Sequence, residues 1–169
     1  MTGAMREDRH AAPAILFLCL GNICRSPLAE GAARAAFAKA GIEARLDSAG
    51  TGDWHVGHPP DPRAQAEARR RGADISDLRA RQLRRADFDD FDLILAADEA
   101  NLRDALAIRP TKARADLKLM LDLVPGREGE GVTDPYYGAD EGFAATWDDV
   151  AAVAAALVSS LADRPLDHD

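Results

Sequence analysis

The sequence predicts an α/β fold, a three-layer α/β/α arrangement around a four-stranded parallel sheet. Three observations lead there. Short apolar runs of strand length alternate with longer segments of helical periodicity. The first run, Ala14-Ile-Leu-Phe-Leu-Cys19, is apolar throughout, as in a strand covered on both faces. Repeated strand-then-helix order implies parallel strands joined by right-handed crossovers.

The elements follow in order. After the strand at 14–19 comes a loop holding Gly21 and Asn22. Ser26 then stands as a helix N-cap with Pro27 at the first helical position. That helix carries Leu28, Ala32, Ala33, Ala36 and Phe37 on one face and ends at Gly41. A second strand is expected at 44–49. Residues 50–60 hold three glycines and two prolines and read as a loop. Asp61-Pro62 opens a helix that Gly72 closes. Residues 91–96 read as the third strand. Asp98 caps a helix bearing Leu102, Ala105 and Leu106, with Pro110 beyond its end. The fourth strand is expected at 116–121, followed by a loop over 122–142. The last helix places Phe143, Trp147, Val150, Val153, Leu157 and Leu161 at steps of three or four, and Pro165 stops it.

Bulk properties narrow the function. The 169 residues suit one domain, at 14–165, with a flexible extension at 1–13 and a tail at 166–169. A net charge of −8 argues against a general nucleic-acid binder. No apolar run looks long enough to span a bilayer, and the first residues lack the apolar core of a secretory signal. Two cysteines are too few for a disulfide framework, so a reducing cytoplasm is expected.

The loop Cys19-Leu20-Gly21-Asn22-Ile23-Cys24-Arg25-Ser26 carries the chemistry. It joins a buried strand to a helix N-terminus, where free N–H groups and a partial positive charge suit an anion. It also lies at the carboxyl end of a strand, where ligands of such folds bind. Gly21 and Asn22 tolerate the left-handed backbone that an inward-turned loop needs. The helix end and the Arg25 guanidinium both favour a Cys19 thiolate, the competent nucleophile. Arg25 offers a planar fork for two phosphate oxygens, and Ser26 can donate its hydroxyl to the sulfur. The set reads as a nucleophile inside a phosphate-binding loop. Two bland readings stand beside it. A lone cysteine at a strand end is usually a small buried hydrophobe. A Cys19–Cys24 metal pair would need further ligands, and the sequence has no other cysteine, while its four histidines lie in loops or tails. The chemistry needs neither metal nor cofactor.

The stretch from Leu18 to Glu30 resembles the signature of the low-molecular-weight protein tyrosine phosphatases. The likeness continues in family order through Asp47-Ser48-Ala49-Gly50-Thr51, Trp54-His55-Val56-Gly57, Ala80-Arg81-Gln82, Asp98-Glu99-Ala100-Asn101-Leu102 and Asp134-Pro135-Tyr136-Tyr137-Gly138. It implies hydrolysis of phosphotyrosine and aryl phosphates through a cysteinyl-phosphate. In that scheme Cys19 is the nucleophile, Arg25 the phosphate clamp and Asp134 the acid that protonates the leaving phenolate. Read locally, Asp134-Pro135 would be a turn. The loop aromatics Trp54, Tyr136 and Tyr137 can wall a substrate pocket for a flat phenyl ring; the resemblance implies that Trp54 and Tyr136 flank its mouth, and loop packing fits Tyr137 better. Ser48, with Asn22 and Ser26, is implied to support the loop; Cys24 either fills space or, as the resemblance implies, is a redox partner for Cys19. Implied partners are tyrosine-phosphorylated proteins and a cognate tyrosine kinase. Two departures stand out. Many relatives have a His where this chain has Leu78, and bulkier residues at Ala96-Ala97. Two rival readings are an arsenate reductase of the related fold, which needs late cysteines this chain lacks, and a non-catalytic phosphotyrosine-binding module, which would have lost Cys19, Arg25 or Asp134.

Overall fold

The computed structural model describes residues 12–136 and 138–162. Strands β1 (Ala14–Cys19), β2 (Arg45–Gly50), β3 (Leu93–Ala96) and β4 (Asp116–Leu119) form one parallel sheet in the order β2-β1-β3-β4. The helices are α1 (Arg25–Ala40), α2 (Pro62–Arg70), α3 (Asp87–Asp90), α4 (Glu99–Ile108) and α5 (Glu141–Ala162), with a 3₁₀ turn at Met120–Leu123.

Strand periodicity divides β1 between two cores. Ile15, Phe17 and Cys19 join the cluster that holds Leu28 and Phe37 of α1, Ala64 and Ala68 of α2, and Trp147 and Val150 of α5. Leu16 and Leu18 join the opposite cluster with Phe88 of α3 and Ala105 of α4. Every residue of β1 is buried, which is why the run is apolar without alternation. Burying each of its large side chains contributes about 1.5–3 kcal/mol. The layers are therefore α1, α2 and α5, then the sheet, then α3 and α4.

The chain runs from β1 to β2 on one side and returns to β3 on the other. The carboxyl ends of β1 and β3 thus border the crevice where strand order reverses, the ligand position of open α/β sheets. Cys19 ends β1, and Asp98 follows β3 as the N-cap of α4, its carboxylate accepting from Asn101 N at 2.9 Å.

Local chemistry sets most boundaries. Asp61 caps α2 through Arg63 N at 2.8 Å, with Pro62 at the first helical position. Gly41 ends α1 with φ 71°, a left-handed value that glycine adopts at little cost.

Several expectations need correction. Ser26 does not cap α1. The helix starts one residue before it, Cys24 holds the cap position without a side-chain cap bond, and the Ser26 hydroxyl is committed to the loop instead. The second strand covers 45–50. The third starts at Leu93, because Phe91 is the C-cap of a short helix at Asp87–Asp90, its N–H bonded to the Asp87 carbonyl; one turn has no periodicity to read. The fourth stops at Leu119, where the apolar run continues as the 3₁₀ turn. Helix α5 is, by length and composition, long and apolar enough to cross a membrane, contrary to expectation. Here its Phe143, Trp147, Val150, Val153 and Leu157 face lies in the core, packed chiefly on α1. Residues 1–11, Tyr137 and the stretch with Pro165 lie outside the described residues.

Candidate active site

Asn22 organises the loop after β1. It is the non-glycine residue with positive φ, at 57°, among the described residues. Asn tolerates this conformation because its short polar side chain bonds locally. Three of its groups are spent inward. Its N–H donates to Cys19 Sγ at 3.3 Å. Its Nδ2 donates to Ser26 Oγ at 2.8 Å and to Ser48 Oγ at 3.0 Å. Its Oδ1 accepts from Arg81 N at 3.0 Å. Gly21, expected to share the left-handed backbone, does not. Its need is steric: a Cβ there would stand 2.9 Å from His55 Cδ2.

Cys19 Sγ lies 3.1 Å from Ser26 Oγ. Ser26 Oγ already accepts from Asn22, so its proton is free for the sulfur. A Cys19 thiolate therefore receives two hydrogen bonds, from the Ser26 hydroxyl and the Asn22 amide. Ser48 Oγ in turn donates to Glu30 Oε1 at 2.8 Å. Glu30 is buried, and burial pushes its carboxyl above the ordinary carboxylate range despite bonds from Arg34 and Ser48. Sequence reasoning assigned Glu30 no role. The signal was its place on an apolar helix face, one turn before Arg34. Leu78 is half-buried against the core, and the network closes without it through Arg81 N and Glu30.

Arg25 is 3% exposed. Its Nη1 meets Asp98 Oδ2 at 2.8 Å and the Val132 carbonyl at 3.0 Å. Its Nη2 lies 3.7 Å from Asp134 Oδ2. Burial opposes the Arg25 charge, but Cys19, the Asp98 bond and Asp134 outweigh it and raise its pKa. For Asp98 burial is likewise outweighed, by Arg25 and the amides of α4, and its carboxyl sits below the usual range. Asp98 thus caps α4 and also faces the site. Burial pushes the Cys24 thiol well above the ordinary thiol range, with Asp61 adding to it. Cys24 is therefore held as a thiol at neutral pH.

These groups border a cleft of about 400 Å³. Cys19 and Arg25 lie on it, Asp134 overlooks it, and Trp54, His55 and Tyr136 wall its mouth. Trp54 is 67% exposed. Its ring lies over Gly52, where a Cβ would come within 1.8 Å of Cζ3. Tyr136 stands 6.4 Å from the His55 ring. The structure thus brings together Cys19, Leu20, Gly21, Ile23, Cys24, Arg25, Trp54, Asp134 and Tyr136 on one cleft, with Asn22, Ser26 and Ser48 behind it. Tyr137 lies outside the described residues. Among those residues no group of three or more His, Cys, Asp or Glu side chains could hold a metal ion.

Residues 14–165 match the family model "Low molecular weight phosphotyrosine protein phosphatase". This chain belongs to that family. A low molecular weight phosphotyrosine protein phosphatase of Schizosaccharomyces pombe is 46% identical over 132 residues, covering 76% of this chain and 84% of that protein. The low molecular weight protein-tyrosine-phosphatase YfkJ of Bacillus subtilis is 43% identical over 125 residues, 73% of this chain and 80% of that one. The YfkJ crystal structure superposes with a TM-score of 0.83 at 37% identity, covering 90% of this chain and 96% of that one. A protein tyrosine phosphatase from Entamoeba histolytica, solved with Hepes in its active site, gives a TM-score of 0.84 at 32% identity over 90% of this chain and 98% of that chain. The phosphatase is accordingly a hydrolase of the protein-tyrosine class, on the three-layer fold expected from the sequence.

Proposed function

We propose that this phosphatase cleaves phosphotyrosine in proteins in two steps through a cysteinyl-phosphate on Cys19. The Cys19 thiolate attacks phosphorus, the S–P bond forming as the P–O bond to the phenolate breaks. Arg25 and the amides of residues 20–26 hold the three equatorial oxygens, where the transition-state charge lies. Asp134 protonates the departing phenolate. It then takes a proton from the water that attacks the cysteinyl-phosphate, releasing phosphate and restoring the thiolate.

One observation carries this reading. Cys19 Sγ is met by Asn22 N and the Ser26 hydroxyl on the same cleft that holds Arg25 and the Asp134 carboxylate. Trp54, His55 and Tyr136 supply an aromatic slot for the phenyl ring. Cys19→Ser tests it: turnover of p-nitrophenyl phosphate is lost while the thermal transition is retained. Full activity in that variant would sink the assignment.

Three further parts of the reading go with it. The substrates are tyrosine-phosphorylated proteins, which makes a tyrosine kinase the supplier of substrate. The site of action is the cytoplasm, in keeping with two free cysteines. Under peroxide, Cys19 is oxidised to a sulfenic acid, which condenses with the Cys24 thiol to a disulfide with loss of water. Equal recovery by thiol after peroxide treatment in Cys24→Ala would remove that role.

A further inference from the structure

Arg25 ties the loop that carries Asp134 to the phosphate-binding loop through the Val132 carbonyl and Asp134 itself. Arg63, in the first turn of α2, adds a second tie further along that loop. Its Nη2 donates to the Tyr136 carbonyl at 2.9 Å, and its Nη1 lies 3.4 Å from the Gly138 carbonyl. Its Nε and Nη2 also grip the Asp61 carboxylate at 3.1 and 3.0 Å. The guanidinium lies 4.8 Å from the Phe143 ring centroid and 5.9 Å from that of Tyr136. Phe143 is buried at the start of α5, so the clamp has a rigid backing.

Asp61 completes this second tie. Its N–H donates to the Ile23 carbonyl at 2.9 Å, inside the phosphate-binding loop. Its Oδ1 accepts from Arg63 N at 2.8 Å, so one carboxylate fixes both the backbone and the side chain of Arg63. Burial opposes the Asp61 charge, but the bonds from Arg63 outweigh it and lower its pKa, so the pair stays ionised at neutral pH. At the other end, Tyr136 N donates to Asp134 Oδ1 at 3.1 Å. A continuous path therefore runs from Ile23 through Asp61, Arg63 and Tyr136 to Asp134. A planar fork suits this task, since its donors are fixed in direction and can hold a carboxylate side-on while reaching peptide carbonyls; an ammonium is a point charge without that fixed geometry.

We propose that Arg63 is a positioning residue for leaving-group protonation, clamping the Asp134 loop to the phosphate-binding loop through Asp61. The proposal rests on the reading of Asp134 as the acid. Arg63 touches no reacting atom, so its effect must appear where the acid matters and vanish where it does not. Aryl phosphates with leaving groups of graded pKa separate these cases. For Arg63→Met, kcat/KM should fall by roughly tenfold or more with phenyl phosphate, and by less than about threefold with 2,4-dinitrophenyl phosphate, whose phenolate leaves unaided. Asp134→Asn should show the same trend at larger amplitude. The double variant should be no slower than Asp134→Asn alone, because a displaced acid and an absent one cost the same step. Arg63→Lys should give the Arg63→Met ranking at smaller amplitude, and it serves as the test if Arg63→Met fails to fold. A steep leaving-group dependence in Asp134→Asn with an even loss across substrates in both Arg63 variants would overturn the clamp alone. Additive losses in the double variant would do the same. A flat profile in Asp134→Asn would overturn the acid assignment, and the clamp with it.

Discussion

Arg25 and Asp98 stand 2.8 Å apart across the crevice where the strand order reverses. The first belongs to the loop after β1 and the second to the turn after β3, so the pair forms only when those strands lie side by side. Asp98 fixes the direction of the guanidinium, and a donor held in place in advance costs less to organise in a reaction.

Asp98→Asn keeps the helix cap, because Asn caps as well as Asp. It removes the nearer of the two carboxylate charges beside Arg25, leaving Asp134. Phosphate affinity and kcat/KM should fall by about tenfold as the guanidinium loses its fixed direction. The stability difference between wild type and Asp98→Asn should depend on pH in one direction. A carboxyl lowered by folding stabilises above the ordinary carboxylate range, and that contribution is lost as pH falls through the folded-state value. Urea transitions from neutral pH down into the acid range should therefore converge. A constant difference would show that the ion pair contributes nothing.

Asn22 joins a backbone requirement to a side-chain network, and two substitutions separate them. Asn22→Gly keeps the left-handed backbone and loses the bonds to Ser26, Ser48 and Arg81. Asn22→Ala loses both and should be less stable than the glycine variant by about 1 kcal/mol. Both should lose most of their aryl phosphatase activity. Equal stability would mean that the loop relaxes out of this conformation at no cost.

Glu30 gives an opposite pH signature. Burial raises its carboxyl, so its contribution to stability is present below the ordinary carboxylate range and is lost as pH rises through the folded-state value. Glu30→Gln keeps an acceptor for Ser48 without the buried charge. Denaturation of the two proteins should show the variant gaining on wild type as pH rises from acid to neutral. The reverse trend would place a net favourable charge at Glu30.

Trp54 is exposed, so Trp54→Ala should change stability by no more than about 0.5 kcal/mol. KM for phosphotyrosine should rise by roughly fivefold to tenfold if the ring walls the slot, since such an aromatic contact is worth about 1 kcal/mol. The KM of a small alkyl phosphate should not move. A parallel rise for both substrates would point to a displaced phosphate-binding loop.

Much of this was legible in the chain itself. The continuous apolar run 14–19 suited a strand covered on both faces. Pro27 and Gly41 bracketed a helix, and Asp61-Pro62 and Asp98 announced two more. These signals are local, because caps, breakers and periodicity act within one turn or one strand. The loop from Cys19 to Ser26 was legible for the same reason, since all its parts lie within eight residues. Ser26 reads in the sequence both as a cap and as a donor to Cys19; the structure keeps the second role, because Cys19 and Asn22 converge on its hydroxyl when the loop folds back on itself.

What the sequence determined by itself was the main strands and helices, without the short helix Asp87–Asp90 and the 3₁₀ turn, and the chemical inventory: a thiol, a guanidinium and a carboxylate fit for phosphoryl transfer. The tertiary structure alone decided their geometry. It placed Asp98 on Arg25, Ser48 and Arg81 on Asn22, and the Asp134 loop on Arg63. Each contact joins residues dozens of positions apart, and its strength depends on burial that no local pattern reports. Only the assembled sheet, with the ends of β1 and β3 side by side, makes those distances short and excludes enough water for the charges to matter.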